Sequence, residues 1–167
     1  MKYIINQKLF SIGDDFNILD ENKNKAFKVD GKILTITKKL NFEDSNGNII
    51  YKIKKKMLHL KNTYVLEKDG ETVATIKKDL INIMKDKFEV ETPYGLIKVK
   101  GNFIDYNYKF KLDKQEIATV SKKIISLRDK YIVDIENFED EPLILATAIV
   151  IDMICHNKDD EEEKDKK

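Results

Sequence analysis

Paired lysines are the residues of this chain best placed to do chemistry, and that chemistry is the attraction of anions. Lys38-Lys39, Lys54-Lys55-Lys56, Lys77-Lys78 and Lys122-Lys123 recur along the sequence. Lysine meets phosphate as a point charge, whereas the arginine fork serves bidentate reading of bases and phosphates. Arg128 is the sole arginine and the formal net charge is only +1. No nucleic-acid partner is therefore expected. Lysine pairs brought to one rim would draw an anionic lipid headgroup or membrane surface, by about 1 kcal/mol per lysine. The plainer alternative is that they are solvated turn and edge lysines that keep strands soluble.

The other reactive side chains are scattered. His59 and His156 lie far apart with no ligand-spaced companions, so no metal is expected. Cys155 is the single cysteine and reads as a small residue at the edge of the core. Asp152 stands out because it interrupts an apolar segment. A buried carboxylate must be paired, hydrogen-bonded or neutral. It either marks a polar site at the end of the fold or accepts structural hydrogen bonds. The chain has no GxGxxG, P-loop, GxSxG or CxxC motif and no recognisable triad. No catalytic residue and no cofactor is assigned, and an enzyme is not expected.

The elements that must position these residues are mostly strands. Up to about Ile135, short runs of Ile, Val, Leu, Tyr, Phe and Thr alternate with charged residues. Turn signals separate them, among them Asp20-Glu21-Asn22, Asn46-Gly47-Asn48, Asp69-Gly70, Pro93-Tyr94-Gly95 and Asp113-Lys114. A repeat runs through the pattern. Ile50–Tyr64, Val73–Phe88 and Ile117–Tyr131 each read as a short strand, a lysine pair, a second apolar strand, then an aromatic opening a third. The step from Ile53 to Tyr64 is 11 residues, from Ile76 to Phe88 12 and from Val120 to Tyr131 11. Repeated strand units cannot bury their apolar faces alone, so they need a shared partner.

Leu143 to Cys155 is that partner: 13 residues, apolar on every side but for Thr147 and Asp152. Glu141-Pro142 suits a helix start. A helix apolar all round is buried all round. It falls short of the roughly 17 residues that span a bilayer. The strands are therefore expected to curl into a barrel whose lumen this helix fills, with Leu145, Ile149 and Asp152 in its core. One domain is expected over residues 1–156, with the helix over about 141–156 and a disordered charged tail over 157–167. A lone cysteine, and no apolar run at the start that would serve as a leader, fit a cytoplasmic protein with no transmembrane segment.

The order of these pieces resembles the LURP-one-related family of the tubby C-terminal-like superfamily. The resemblance rests on Phe16–Asp20, Leu40–Gly47, the three lysine-pair units and Ile97–Tyr106. It rests most on Ser121-Lys122-Lys123 through Ser126–Tyr131 to Val133-Asp134-Ile135, followed by Leu145-Ala146 and Ile149–Asp152. It covers about residues 2 to 156. Ile124 departs from it, at a position where many relatives carry tryptophan. The resemblance implies a mainly β fold, an antiparallel 12-stranded closed barrel around a central C-terminal helix. It also implies lipid-related roles, such as phosphoinositide binding and membrane tethering, for better-known relatives.

Fold does not carry function with it. The expected function is a non-enzymatic binding or scaffold domain, a monomer, meeting anionic phospholipid headgroups peripherally at a membrane. Its candidate binding residues are Lys54, Lys55, Lys56, Lys77, Lys78, Lys122 and Lys123. The alternatives are a protein-interaction module that uses the barrel rim and exposed edges, and a small-ligand carrier.

Overall fold

A computed structural model describes residues 1–6, 15–30, 39–56, 63–78, 87–123 and 130–156. Among the described residues, twelve strands precede one helix. They are β1 (Lys2–Asn6), β2 (Phe16–Asp20), β3 (Lys25–Asp30), β4 (Lys39–Asp44), β5 (Ile49–Lys55), β6 (Thr63–Lys68), β7 (Glu71–Lys78), β8 (Lys87–Thr92), β9 (Gly95–Asn102), β10 (Asn107–Leu112), β11 (Gln115–Lys123) and β12 (Lys130–Ile135), followed by α1 (Glu141–His156). Each strand pairs antiparallel with its sequence neighbours, and β1 pairs with β12 to close the ring. Closure removes free strand edges. A protein partner held by exposed edges, one of the routes the sequence allowed, is therefore not offered by this barrel.

The turns follow from local chemistry. Asp69-Gly70 and Asp113-Lys114 both take positive φ at their two central residues (52° and 87°, 47° and 73°). That conformation matches the right-handed twist of the strands it joins. The Asp44 carboxylate accepts from the backbone N–H groups of Asn46 and Asn48 at 2.8 and 2.9 Å. Such Asx contacts hold a turn without help from the core.

Strand alternation sorts the side chains. On β12, Tyr131, Val133 and Ile135 are buried; on β9, Ile97 and Val99 are. Every α1 residue from Leu143 to Met153 is buried, and Leu145 and Ile149 have no exposed surface. Each fully buried Leu, Ile or Val contributes about 1.5–3 kcal/mol. The apolar stretch is thus held in the lumen by the inward faces of the strands.

The repeat becomes visible as hairpins. Lys54-Lys55, Lys77-Lys78 and Lys122-Lys123 end β5, β7 and β11. Tyr64, Phe88 and Tyr131, each the second residue of the next strand, are buried. The middle strands expected between them lie outside the described residues. So do Lys38, His59, Ile124 and the tail over 157–167.

Candidate functional site

The helix axis names the two ends of the barrel. Asp140, just before α1, meets Tyr94 of the β8–β9 turn, with the Tyr94 hydroxyl donating at 3.1 Å. At the far end of α1, His156 Nε2 lies 3.2 Å from the Phe103 carbonyl oxygen in the β9–β10 turn. In an up-and-down barrel, β5, β7 and β11 all end on the His156 rim, and β4, β8 and β12 all start there. The structure therefore brings Lys54, Lys55, Lys56, Lys77, Lys78, Lys122 and Lys123 to one rim. Lys39, Lys87, Lys100 and Lys130 join them. The register sets Lys39 opposite Lys54, Lys87 opposite Lys100 and Lys123 opposite Lys130.

Described acids are sparse at that rim: Asp15, Asp30 and Asp105. The opposite rim carries Asp20, Glu21, Asp44, Asp69, Glu71, Asp113, Glu136 and Glu139 against Lys2, Lys23, Lys25, Lys68 and Lys114. Among the described residues, charge is thus separated along the barrel axis.

The rim lysines are not equivalent. Lys54 forms an ion pair with Glu67, and Lys77 Nζ lies 2.7 Å from a Glu91 oxygen. Lys56 and Lys122 are exposed and make no ion pair with a described residue. Among them stands Ile104, at the tip of the β9–β10 turn and 70% exposed. Sequence reading missed Lys87, Lys100 and Lys130 because each stands singly. The signal that finds them is their position at strand ends, which needs the strand boundaries.

Asp152 lies in the lumen near the His156 end. One carboxylate oxygen accepts from the Tyr106 hydroxyl at 2.6 Å and lies 3.8 Å from His156 Nε2. The other oxygen and the buried hydroxyls of Tyr108 and Tyr131 have no hydrogen-bond partner among the described residues. Burial pushes the Asp152 carboxyl up to about 7, against the opposing hydrogen bond from Tyr106. Burial also holds the Tyr108 and Tyr131 phenols well above their ordinary range, with the Asp152 charge adding to it. Tyr106 is sandwiched between Tyr131 and His156, with ring centroids 4.7 Å away on each side. Cys155 is half-buried and is not in a disulfide.

The start of α1 is built differently. Asp140 Oδ1 accepts from the Leu143 backbone N–H at 3.1 Å, an N-cap. The same carboxylate accepts from the Tyr51 hydroxyl at 2.8 Å. Next to it, the Tyr3 hydroxyl donates to Glu141. Burial, then the neighbouring carboxylate, raises both the Tyr3 and the Tyr51 phenols. Strands β1 and β5 and the β8–β9 turn therefore all hold the helix entrance. The sequence pointed to Glu141-Pro142 here and missed Asp140. An acidic residue three positions ahead of the first apolar helix residue is the signal that finds it.

Among the described residues, no helix is long and apolar enough to cross a membrane. No three His, Cys, Asp or Glu side chains gather there as ligands for a metal ion.

Comparison with known proteins places the chain. The uncharacterized protein YxjI of Bacillus subtilis (strain 168) is 30% identical over 162 residues, covering 96% of this chain and 98% of that protein. No solved structure matches. A family model described as LURP-one-related matches residues 1–152. The chain belongs to the LURP-one-related family.

Proposed function

We propose that this barrel is a non-enzymatic binding domain that docks its lysine-rich rim on an anionic phospholipid surface. It does so as a cytoplasmic monomer, peripheral to the membrane. The observation that carries the reading is the gathering of lysines at the His156 rim while acids crowd the other. A charge dipole of that kind orients a protein on a charged surface before any specific contact forms. Lysines such as Lys56 and Lys122 each contribute about 1 kcal/mol near an anionic leaflet.

One further feature favours a lipid surface over a wholly polar partner: Ile104 presents an apolar tip among the lysines. A carrier role finds little support, because α1 fills the lumen that a ligand would need.

Co-sedimentation with phosphatidylserine-containing vesicles tests the reading. Retention is expected at low ionic strength and should fall as salt rises, because screening shortens the reach of surface charges to about 8 Å at physiological ionic strength. If the protein stays in the supernatant at low salt, the reading is wrong, and a protein partner for the same rim takes its place.

A further inference from the structure

A second concentration of lysine lies on the barrel wall, away from the paired lysines. Strands β9 and β10 turn Ile97, Val99, Tyr108 and Phe110 inward, so Lys98, Lys100, Lys109 and Lys111 all face out. The register places Lys100 directly opposite Lys109 and Lys98 directly opposite Lys111. Neighbouring strands lie about 4.8 Å apart, and residues two apart on one face about 7 Å. The four lysine stems therefore rise from a rectangle of about 5 by 7 Å.

This is a costly arrangement. Like charges directly opposite each other weaken a strand pair. Among the described residues an acid relieves it at one corner: Lys109 Nζ lies 2.9 Å from a Glu116 oxygen. Lys98, Lys100 and Lys111 make no ion pair with a described residue. Glu89 is the register partner of Lys98 and still does not pair with it. The lysines also line a concavity of about 730 Å³, with the exposed Leu96 and the turn residues Asp113 and Lys114 at the end away from His156. A volume of that order suits a small molecule, not a flat protein surface.

The structure assigns this groove, we infer, to a small, multiply charged phosphate anion with two or more phosphates spanned by the lysine rectangle. The site is separate from the lysine pairs of the rim, since it lies on the wall and shares only Lys100 with the rim reading. Lysine supplies charge without the fixed fork of arginine, so charge number decides affinity more than ligand shape. The shared chemistry is a cluster of phosphates, from a soluble polyphosphate or from a phosphorylated headgroup.

The test uses the full chain and tripolyphosphate as probe, titrated at low ionic strength by calorimetry. The wild type should bind, and phosphate alone should bind more weakly. Lys98→Glu/Lys111→Glu should weaken tripolyphosphate binding by at least about tenfold. Lys98→Arg/Lys111→Arg should keep it within about threefold, because the charge is retained. Lys56→Glu/Lys122→Glu on the rim should leave it within about twofold, because those charges lie outside the rectangle. Thermal melts check that each variant is folded, and exposed Lys→Glu changes on this wall should keep a cooperative melt. Vesicles with a bisphosphorylated headgroup that retain the wild type better than Lys98→Glu/Lys111→Glu identify a headgroup as the source, and equal retention of the two identifies a soluble anion; with tripolyphosphate bound, either supports the groove. No binding by the wild type overturns it, as does a loss in the rim variant equal to that in the groove variant.

Discussion

The two ends of α1 each set an aspartate against tyrosine, and they solve the problem of the carboxylate differently. At the entrance, Asp140 is partly solvated and accepts from Tyr51, Tyr94 and the Leu143 backbone. At the exit, Asp152 is 2% exposed and has one phenol donor, Tyr106, with His156 beyond normal hydrogen-bond distance. The first is a cap and a clamp that fixes where the helix enters the barrel. The second is a carboxyl kept in a setting that disfavours its charge. The rims around them differ in the same sense: acidic where the carboxylate is well served, lysine-rich where it is not. The polar end fixes where the helix enters, and the lysine-rich end is the one proposed to bind.

The largest break in this comparison is the removal of the helix as a shared core. Ile149→Asp puts an unpaired charge at a position with no exposed surface. The cost, about 4 kcal/mol or more, consumes most of the stability of a domain this size. Circular dichroism should show no cooperative melt; a native-like melt would mean that the lumen does not depend on α1.

Next comes pH. The folded Asp152 carboxyl titrates at about 7, well above an unfolded aspartate. The folded state therefore keeps a proton that the unfolded chain has already released between pH ~4 and ~7. This contribution is fully present below the ordinary aspartate range, is lost as pH rises to about 7, and is flat above. A difference of about three units corresponds to about 4 kcal/mol as an order of magnitude. Asp152→Asn should remove that slope and raise stability at pH 8, read from denaturant midpoints across pH. A slope that survives in the variant would assign the pH dependence to other groups.

Smaller still is the entrance. Asp140→Ala loses the cap and the two tyrosine contacts, and should cost about 1–2 kcal/mol. Denaturant midpoints of the variant read that loss; a cost below about 0.5 kcal/mol would show that the clamp does not hold the helix entrance.

Much of this was legible in the sequence because it is local or periodic. The hairpin repeat, with Tyr64, Phe88 and Tyr131 at matching offsets, shows in the spacing alone. So does α1, since an all-apolar segment behind Glu141-Pro142 has few other fates in a β-rich chain. Gathering the lysine pairs on one rim needed only the parity of an up-and-down barrel. What stayed hidden depends on contacts across the chain. Tyr106 and Asp152 are 46 residues apart, and Tyr51 and Asp140 are 89 apart. Nothing in their spacing pairs them. The wall lysines show the same limit. Alternation puts Lys98, Lys100, Lys109 and Lys111 outward, but only the register makes a rectangle of them. That register depends on Gly101, where a Cβ would come within 2.3 Å of the Asn107 carbonyl oxygen and 2.5 Å of Tyr108 Cα. The glycine lets β9 and β10 approach at the end where they turn.

The central claim is that one end of this barrel faces an anionic surface and the other does not. Two double variants test it with equal changes in net charge: Lys56→Glu/Lys122→Glu on the His156 rim and Lys25→Glu/Lys68→Glu on the opposite rim. Retention on phosphatidylserine-containing vesicles at low salt should fall at least about tenfold in the first and stay within about twofold in the second. Equal losses in both would show that net charge alone governs binding and would contradict the account.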